Sequence, residues 1–432
     1  DGKTKSADEI VTKIYRKANR KNNEPTIIKC FFYKSKFLQV LDENASEKII
    51  LDIRKEIKKA SNPSKGVLNY IYAQLLNKYL IKNSTKIYNR TPIQNNKSQD
   101  FLTWSYHDFI SEIEKAYEES VKYKLELRQV SVKDYKEIFE ISPYLDGKNY
   151  SLYDFLSEKY LNYFGSKINF WKIISDSYQE ELIAPFYDLN SNFTKLKSHV
   201  SNQKNLEKVI AIFQEKETYA VSQSKDLLDL YIFNRVRFFH NHLNSKKHYI
   251  NSLTLLLKSS TNENVKQDIK VSLASFYYTN ANKVNNKDYL VKAFELTENV
   301  LNQNINSNAL ANALSIKNTI LEKYLSINLN KVLYPNQNAR ALVYFKNIDS
   351  IKISYYRLPI ESNFWFAKSK QIKDSLVTNF ISKNKPIKSY FKVLPNKGDH
   401  FENSTEILLE KIEAGNYLVL LTPEKIDEDY AP

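Results

Sequence analysis

The chain has 432 residues and six glycines. Tight β-turns place residues at positive φ, where glycine alone sits without steric cost, so an all-β chain of this length needs many more. With eleven prolines as well, the backbone has few of the usual turn and breaker residues. Most of it is therefore expected to be helical. At 42% hydrophobic, it has ample apolar material for buried cores and for two or more domains.

The helical pattern starts at once. "SADEIVTKIYRKANR" carries Ile10, Ile14 and Ala18 at spacing four, with Val11 and Tyr15 beside them. Ser6 and Glu9 have the capping-box spacing, in which each side chain satisfies the other's amide. "NNEPT" ends this helix, and Pro25 suits the first turn of the next, which carries Ile27, Cys30, Phe31, Leu38 and Leu41. A third helix is predicted from Ala45 with Ile49, Ile53 and Ile57. A fourth follows Pro63 with Leu68, Tyr72, Leu75 and Tyr79. The first and third helices start about 40 residues apart, the period of an α-hairpin repeat that stacks on its neighbours.

Residues 91–100, "TPIQNNKSQD", are polar and without period, and read as a linker or surface loop. Beyond them Phe109, Ile113, Tyr117, Val121 and Leu125 make one stripe. After the turn "LDGKNYS", the stretch "YSLYDFLSEKYLNYF" gives another through Leu152, Phe155, Leu156, Tyr160 and Phe164. Asp154 does not fit that stripe and is expected to cap or pair locally. Further helices are predicted at 202–213, 227–243, 248–260, 265–279, 288–301 and 309–327. Ala274 and Ala293 are placed where small residues let helices approach, a tetratricopeptide-like feature.

After Tyr334 the period changes to two. "ARALVYFKNIDSIKISYYRLP" reads as two strands about a short "NID" turn, with Leu342, Tyr344 and Lys346 on one face of the first and Ile351, Ile353 and Tyr355 on one face of the second. "SYFKVLP", "TEILLEKI" and "AGNYLVLLTP" are further strands, with Gly415 and Asn416 as the turn before the last. The expected fold is thus multidomain and mostly α-helical, a tetratricopeptide-like α-hairpin array followed by a C-terminal antiparallel β-sandwich. Its parts are helical-hairpin repeats at 1–90, further helices at 100–330 and the sandwich at 333–432.

The net charge is +15, and residues 1–90 hold 20 Lys/Arg against 9 Asp/Glu. Such an excess suits an acidic partner, whether nucleic acid, lipid head groups or an acidic protein face, and equally suits helices whose solvated faces default to lysine. The lysines alternate with Glu and Asn, with no Arg-rich, Gly-rich or RNP-like run, so nucleic acid is not the expected partner.

Chemistry-bearing motifs are scarce. Cys30 is the one cysteine, which excludes a disulfide framework and a cysteine metal site, and it reads as a small core residue. His240 and His242 are two apart on a helix and point to opposite sides, so they do not share a metal with His248. His107, His199 and His400 stand alone. GxxxxGK[ST], GxGxxG, GxSxG and HExxH are all absent. The aromatics fall on the stripes that carry Leu and Ile, which favours packing over base or sugar stacking. No catalytic, cofactor-binding or metal-ligating residue is assigned, and no cofactor is expected. The chain reads as a non-enzymatic scaffold. It has no run of 18 apolar residues to span a membrane. It starts at Asp1, contains no Met and ends "LLTPEKIDEDYAP", so it is expected to be a piece of a longer gene product.

Three places, in this order, resemble the N-terminal part of large bacterial alpha-2-macroglobulin-like proteins. "SLYDFLSEKYLNYF" is similar to a helix of that family through Leu152, Tyr153, Asp154, Phe155, Leu156, Tyr163 and Phe164. "YFKNIDSIKISYYRL" resembles its strand pair through Tyr344, Asn347, Ile351, Ile353, Tyr356, Arg357 and Leu358. "AGNYLVLLTPE" resembles a later strand through Gly415, Tyr417 and Val419. The resemblance implies a helical region followed by the first macroglobulin-type sandwich of about seven strands. It also implies endopeptidase inhibition by the full-length molecule, which traps a protease after cleavage of a bait region. Export is implied too, with a periplasmic or outer-membrane location in a Gram-negative bacterium, often through a lipid anchor. The thioester Cys-x-Glu-Gln of that family has no counterpart here, because Cys30 precedes Phe31, Phe32 and Tyr33. The expected partners are proteins: proteases through the full-length molecule, or a cell-envelope protein docking on the helices. The alternative is a tetratricopeptide-like interaction scaffold unrelated to proteases.

Overall fold

The computed structural model describes residues 2–90, 100–140, 150–170, 183–190, 192–196, 204–303, 305, 307–329, 332–359, 362 and 369–424. The chain divides into two compact units, Asp1–Ser224 with Phe238–Ser245, and Lys225–Arg237 with Lys246–Pro432.

The first unit is helical. It opens with α1 (Gly2–Arg20), α2 (Glu24–Leu41), α3 (Ala45–Lys59) and α4 (Ser64–Lys82), each packed on the one before. Pro25 is in the first turn of α2, and the Asn23 side chain caps that helix by accepting from the Thr26 amide at 3.2 Å. Ile49 and Ile53 of α3 and Leu68 and Tyr72 of α4 are buried as their spacing predicts. The Ser6–Glu9 pattern does not start a helix: α1 already runs from Gly2, so both residues lie within it. The unit continues with α5 (Ser84–Tyr88), α6 (Tyr106–Ser120), α7 (Lys124–Arg128), α8 (Leu152–Gly165) and α9 (Lys204–Gln223), and takes the last part of α10 (Lys225–Leu243). It runs through the region of the expected linker, of which residues 91–99 lie outside the described residues, as do the first residues of "LDGKNYS".

Capping boxes do form at Ser105/Asp108 and Ser151/Asp154, which start α6 and α8. The α6 stripe holds through Phe109, Ile113, Tyr117 and Val121, then stops because the helix ends at Ser120. Leu125 falls on α7 instead and is 68% exposed. Gly66 lets α4 meet the C-terminal end of α6: a Cβ there would lie 2.8 Å from the Ser120 carbonyl oxygen. The aromatics of this unit fill its core, with Tyr117 stacked on Tyr163 at 4.3 Å and Phe139 beside Phe155 at 4.5 Å.

The second unit begins with the first part of α10, then α11 (Lys246–Ser259), α12 (Glu263–Thr279), α13 (Tyr289–Gln303) and α14 (Ser307–Leu321). Ala274 and Ala293 are both fully buried in one cluster with Leu290 and Ile320, so the small residues do let α12 and α13 close on each other. The final expected helix is shorter than its predicted 309–327. It stops at Leu321, and Tyr324–Asn328 is strand β1.

The six described strands form two antiparallel three-stranded sheets. One has the order β1, β2 (Ala339–Lys346), β5 (Asn403–Leu409). The other has the order β4 (Lys388–Val393), β3 (Ser350–Arg357), β6 (Tyr417–Pro423). Their inner faces share one core: Val343 and Phe345 from β2, Ile407 and Leu409 from β5, Ile351, Ile353 and Tyr355 from β3. This is a sandwich. Fully burying each of these aliphatic side chains contributes about 1.5–3 kcal/mol. Lys370–Lys383 forms a helix, α15, inside the region expected to be a β-sandwich, where no helix was predicted.

"NID" is not a hairpin turn. β2 pairs with β1 and β5, and β3 with β4 and β6, so the chain crosses from one sheet to the other at Asn347–Asp349. Asn347 sits at φ 55°, a left-handed conformation that Asn tolerates better than most residues.

Candidate functional site

Two polar constellations stand out, one in each unit. In the first, α8 and α9 face each other through neighbouring residues. Tyr153 and Asp154 of α8 meet Glu215 and Lys216 of α9. The fully buried Tyr153 donates its hydroxyl to Glu215. Arg128, from α7, places Nη2 2.9 Å from both Glu215 carboxylate oxygens. Its guanidinium lies 4.3 Å from the Tyr153 ring and 3.7 Å from the Tyr219 ring. Lys216 Nζ lies 2.8 Å from Asp154 Oδ1 and 3.3 Å from Ser157 Oγ. The other Asp154 oxygen accepts from the Ser151 amide and hydroxyl at 3.2 and 2.7 Å, as part of the capping box.

Asp154 caps locally, as expected, but its ion pair is not local: the partner, Lys216, lies 62 positions along the chain. The chemistry is that of a clamp. Burial, then the Glu215 charge, hold the Tyr153 hydroxyl far above its ordinary range, so it stays a donor. Arg128 is a permanent cation sandwiched between two aromatic faces. The carboxylates are occupied by cations and amides. The arrangement binds three helices together and offers no free base or nucleophile.

In the second unit, Asn347 closes the end of α14. Its Nδ2 donates to the Ile320 and Glu322 carbonyls at 2.7 and 3.1 Å, the first of which is an orphan acceptor at a helix C-terminus. With both amide hydrogens committed, Oδ1 is the acceptor, and His400 Nδ1 at 2.9 Å must carry its proton. His400 is itself at φ 60°, and its ring lies 5.2 Å from Phe294 of α13. Burial lowers its pKa, and Lys346 lowers it further. His400 does lie in a turn, yet it joins the arch between the sheets to the helices. Only its position in the turn was visible in the sequence.

The other singled-out residues have simpler places. Cys30 is buried, and burial raises its thiol pKa, so it is an inert core residue. His242 stacks on Phe170 with ring centroids 4.5 Å apart, and burial lowers its pKa, so it packs as a neutral aromatic. His107 is exposed, His240 and His248 are partly buried, and His199 lies outside the described residues. Among the described residues, no group of three or more His, Cys, Asp or Glu is placed to hold a metal, and no helix is long and apolar enough to cross a membrane.

A cavity of about 600 Å³ opens in the first unit between the α1–α2 and α3–α4 turns and Tyr135. Its polar lining is already engaged in part: Glu24 accepts from the Ser61 amide at 3.3 Å and from its hydroxyl, and the Tyr135 and Ser64 hydroxyls are 2.8 Å apart. No nucleophile and base meet there. The geometry of both units is that of packed, cross-braced supports, and the chain carrying them matches no protein-family model and no curated protein sequence.

Proposed function

We propose that this chain is a non-enzymatic scaffold that forms the N-terminal part of an exported alpha-2-macroglobulin-like protein. In this reading the full-length molecule traps proteases, and the helical region is a spacer or docking platform for protein partners. The observation that carries the reading is the join at Asn347. The residue that resembles the family's inter-strand turn is also the residue that fastens the helices to a two-sheet sandwich. Helices followed directly by a sandwich is the order the resemblance implies, with six strands described where about seven are implied. Export to the periplasm or outer membrane through a lipid anchor follows from the same resemblance.

The test uses the full-length protein mixed with a broad-specificity protease. Cleavage of a large protein substrate should fall away while cleavage of a short chromogenic peptide continues, because a trapped protease keeps its active site and loses access to large substrates. Equal cleavage of both substrates, with and without the protein, overturns the proposal.

A second reading, a tetratricopeptide-like interaction scaffold, is favoured by the packing of Ala274 against Ala293. A stoichiometric partner copurifying with the full-length protein, with no effect on proteases, selects it.

A further inference from the structure

The cavity beside Tyr135 has a charge opposite to that of the chain around it. The chain is +15 overall, yet two carboxylates line this space: Glu24 at the start of α2 and Asp134 in the 3₁₀ turn Val132–Tyr135. Neither forms an ion pair among the described residues. Lysines of the same region do pair elsewhere, Lys29 with Glu137, Lys48 with Asp42 and Lys59 with Glu56. Lys59 also lines the cavity, but its side chain is 68% exposed and its Nζ lies 3.5 Å from Glu56 Oε1. Glu24 has spent one of its two oxygens. Oε1 accepts from the Ser61 amide and hydroxyl, while Oε2 is buried and accepts no bond. Both carboxylates act on one hydroxyl. Burial raises the Tyr135 pKa, the Ser64 bond opposes this, and the Glu24 and Asp134 charges raise it further, with no cation to offset them. Whichever hydroxyl of the Ser64–Tyr135 pair donates, the Tyr135 oxygen keeps a lone pair. Pro25, Pro63 and Val130 add apolar wall.

We propose that this cavity binds a small ligand through a protonated primary amine. An ammonium group brings one positive charge and three donors to what the chain leaves unspent: Glu24 Oε2, the Asp134 carboxylate and the Tyr135 oxygen. The last torsion of a glutamate is soft, so a small rotation turns Oε2 toward the ligand. An anion would meet two like charges. A divalent metal would find two carboxylates and, among the described residues, no third acidic, imidazole or thiol ligand. A neutral molecule would leave both charges uncompensated. The cavity, at about 600 Å³, is of the size that holds small molecules, and its prolines and valine suit a short aliphatic body. A free amine and the lysine side chain of a peptide share this chemistry. The inference is independent of the protease reading and survives its failure.

The experiment is isothermal titration calorimetry of the full chain with pentylamine, 1,5-diaminopentane and a terminally blocked lysine tripeptide, against pentanol and pentanoate. At least one of the three amines should saturate the protein below about 10 mM, and pentanol and pentanoate should not. The tightest of the three identifies the source of the amine. Hydrogen bonds to a charged group are the strong ones, so Asp134→Asn and Glu24→Gln should each weaken binding by about tenfold or more. Asp134 is exposed, so its variant keeps the test valid should Glu24→Gln disturb the start of α2. Lys59→Met removes a like charge and should tighten binding. Glu295→Gln, at an exposed position of α13, should leave it unchanged. No saturable binding of any amine overturns the proposal. So does equal binding of pentanol, tighter binding of pentanoate, or amine binding that Asp134→Asn and Glu24→Gln leave unaltered.

Discussion

Replacing Lys216 by Met tests whether the α8–α9 clamp holds the first unit together. Met keeps most of the volume and removes the charge. The Lys216 and Asp154 side chains are 9% and 8% exposed, and their charged atoms are 2.8 Å apart. An exposed pair would contribute less than about 1 kcal/mol. Removing one partner of a buried pair costs about 3–5 kcal/mol, because the other charge is left in a low-dielectric site. Asp154 keeps its two bonds from Ser151, which places Lys216→Met at the low end, about 3 kcal/mol. Asp154→Ala loses the pair and the cap together, and the cap adds about 1 kcal/mol, for about 4 in all. In the double variant no charge is stranded, so the loss should fall to about 1–2 kcal/mol, well short of the sum. Urea unfolding of the four proteins, followed by circular dichroism and tryptophan fluorescence, measures this cycle. A Lys216→Met change that costs less than about 0.5 kcal/mol, or single changes that simply add, would refute the reasoning.

Other expectations concern single positions. At Asn347, Gly tolerates the left-handed backbone and loses only the side-chain bonds, whereas Asp sets a carboxylate against two carbonyls. Thermal melts should therefore rank Asn347→Asp below Asn347→Gly, with Gly itself costing about 1–3 kcal/mol. His400 has its pKa lowered below the ordinary 6.5, so the folded form binds the proton less well than the unfolded chain. Its contribution is intact above 6.5 and declines as pH falls through that value toward the folded pKa. The melting temperature should drop over that window, and His400→Gln should flatten the drop. Gly66→Ala should destabilise by about 1–3 kcal/mol in denaturant titrations. The clash at 2.8 Å with a backbone oxygen outweighs the gain of about 1 kcal/mol that Ala normally brings to a helix. Ala274→Leu should overpack the α12–α13 contact by a similar amount, read from the same titrations.

Patterns confined to one element were legible in the sequence. Leu152, Phe155, Leu156, Tyr160 and Phe164 are all buried, since a period of 3.6 needs only the helix itself to be recognised. Strands β2 to β6 were found the same way. What failed depended on the neighbours. The Ser6–Glu9 box has the right letters, but a capping pattern acts only where a helix begins, and the chain before it is already helical. The alternation on either side of "NID" marks two strands but not their partners, and both strands bury their inward faces whichever sheet they join. β1 is five residues long and follows a helix closely enough that its apolar residues extend the helical beat. The pairs that build the clamp, Tyr153 with Glu215 and Asp154 with Lys216, lie 62 residues apart, and no local spacing encodes them.

The crossing at Asn347 also dictates when the sandwich can be made. Because β2 and β3 are neighbours in the chain but belong to different sheets, they form no hairpin with each other, and only β2 has a near partner, β1. On its other edge β2 must wait for β5, and β3 must wait for β6, with Ala341 opposite Ile407 and Ile353 opposite Leu421. Such distant pairings are slow because the loops between them must close first. During synthesis, α12, α13 and α14 can close on one another before either sheet is whole. The last carbonyls of α14 would then remain unclaimed until the arch forms and Asn347 arrives. The helices would thus stand ready as a template on which the sandwich is completed late, and a chain halted before Tyr417 would leave β3 without one of its two partners.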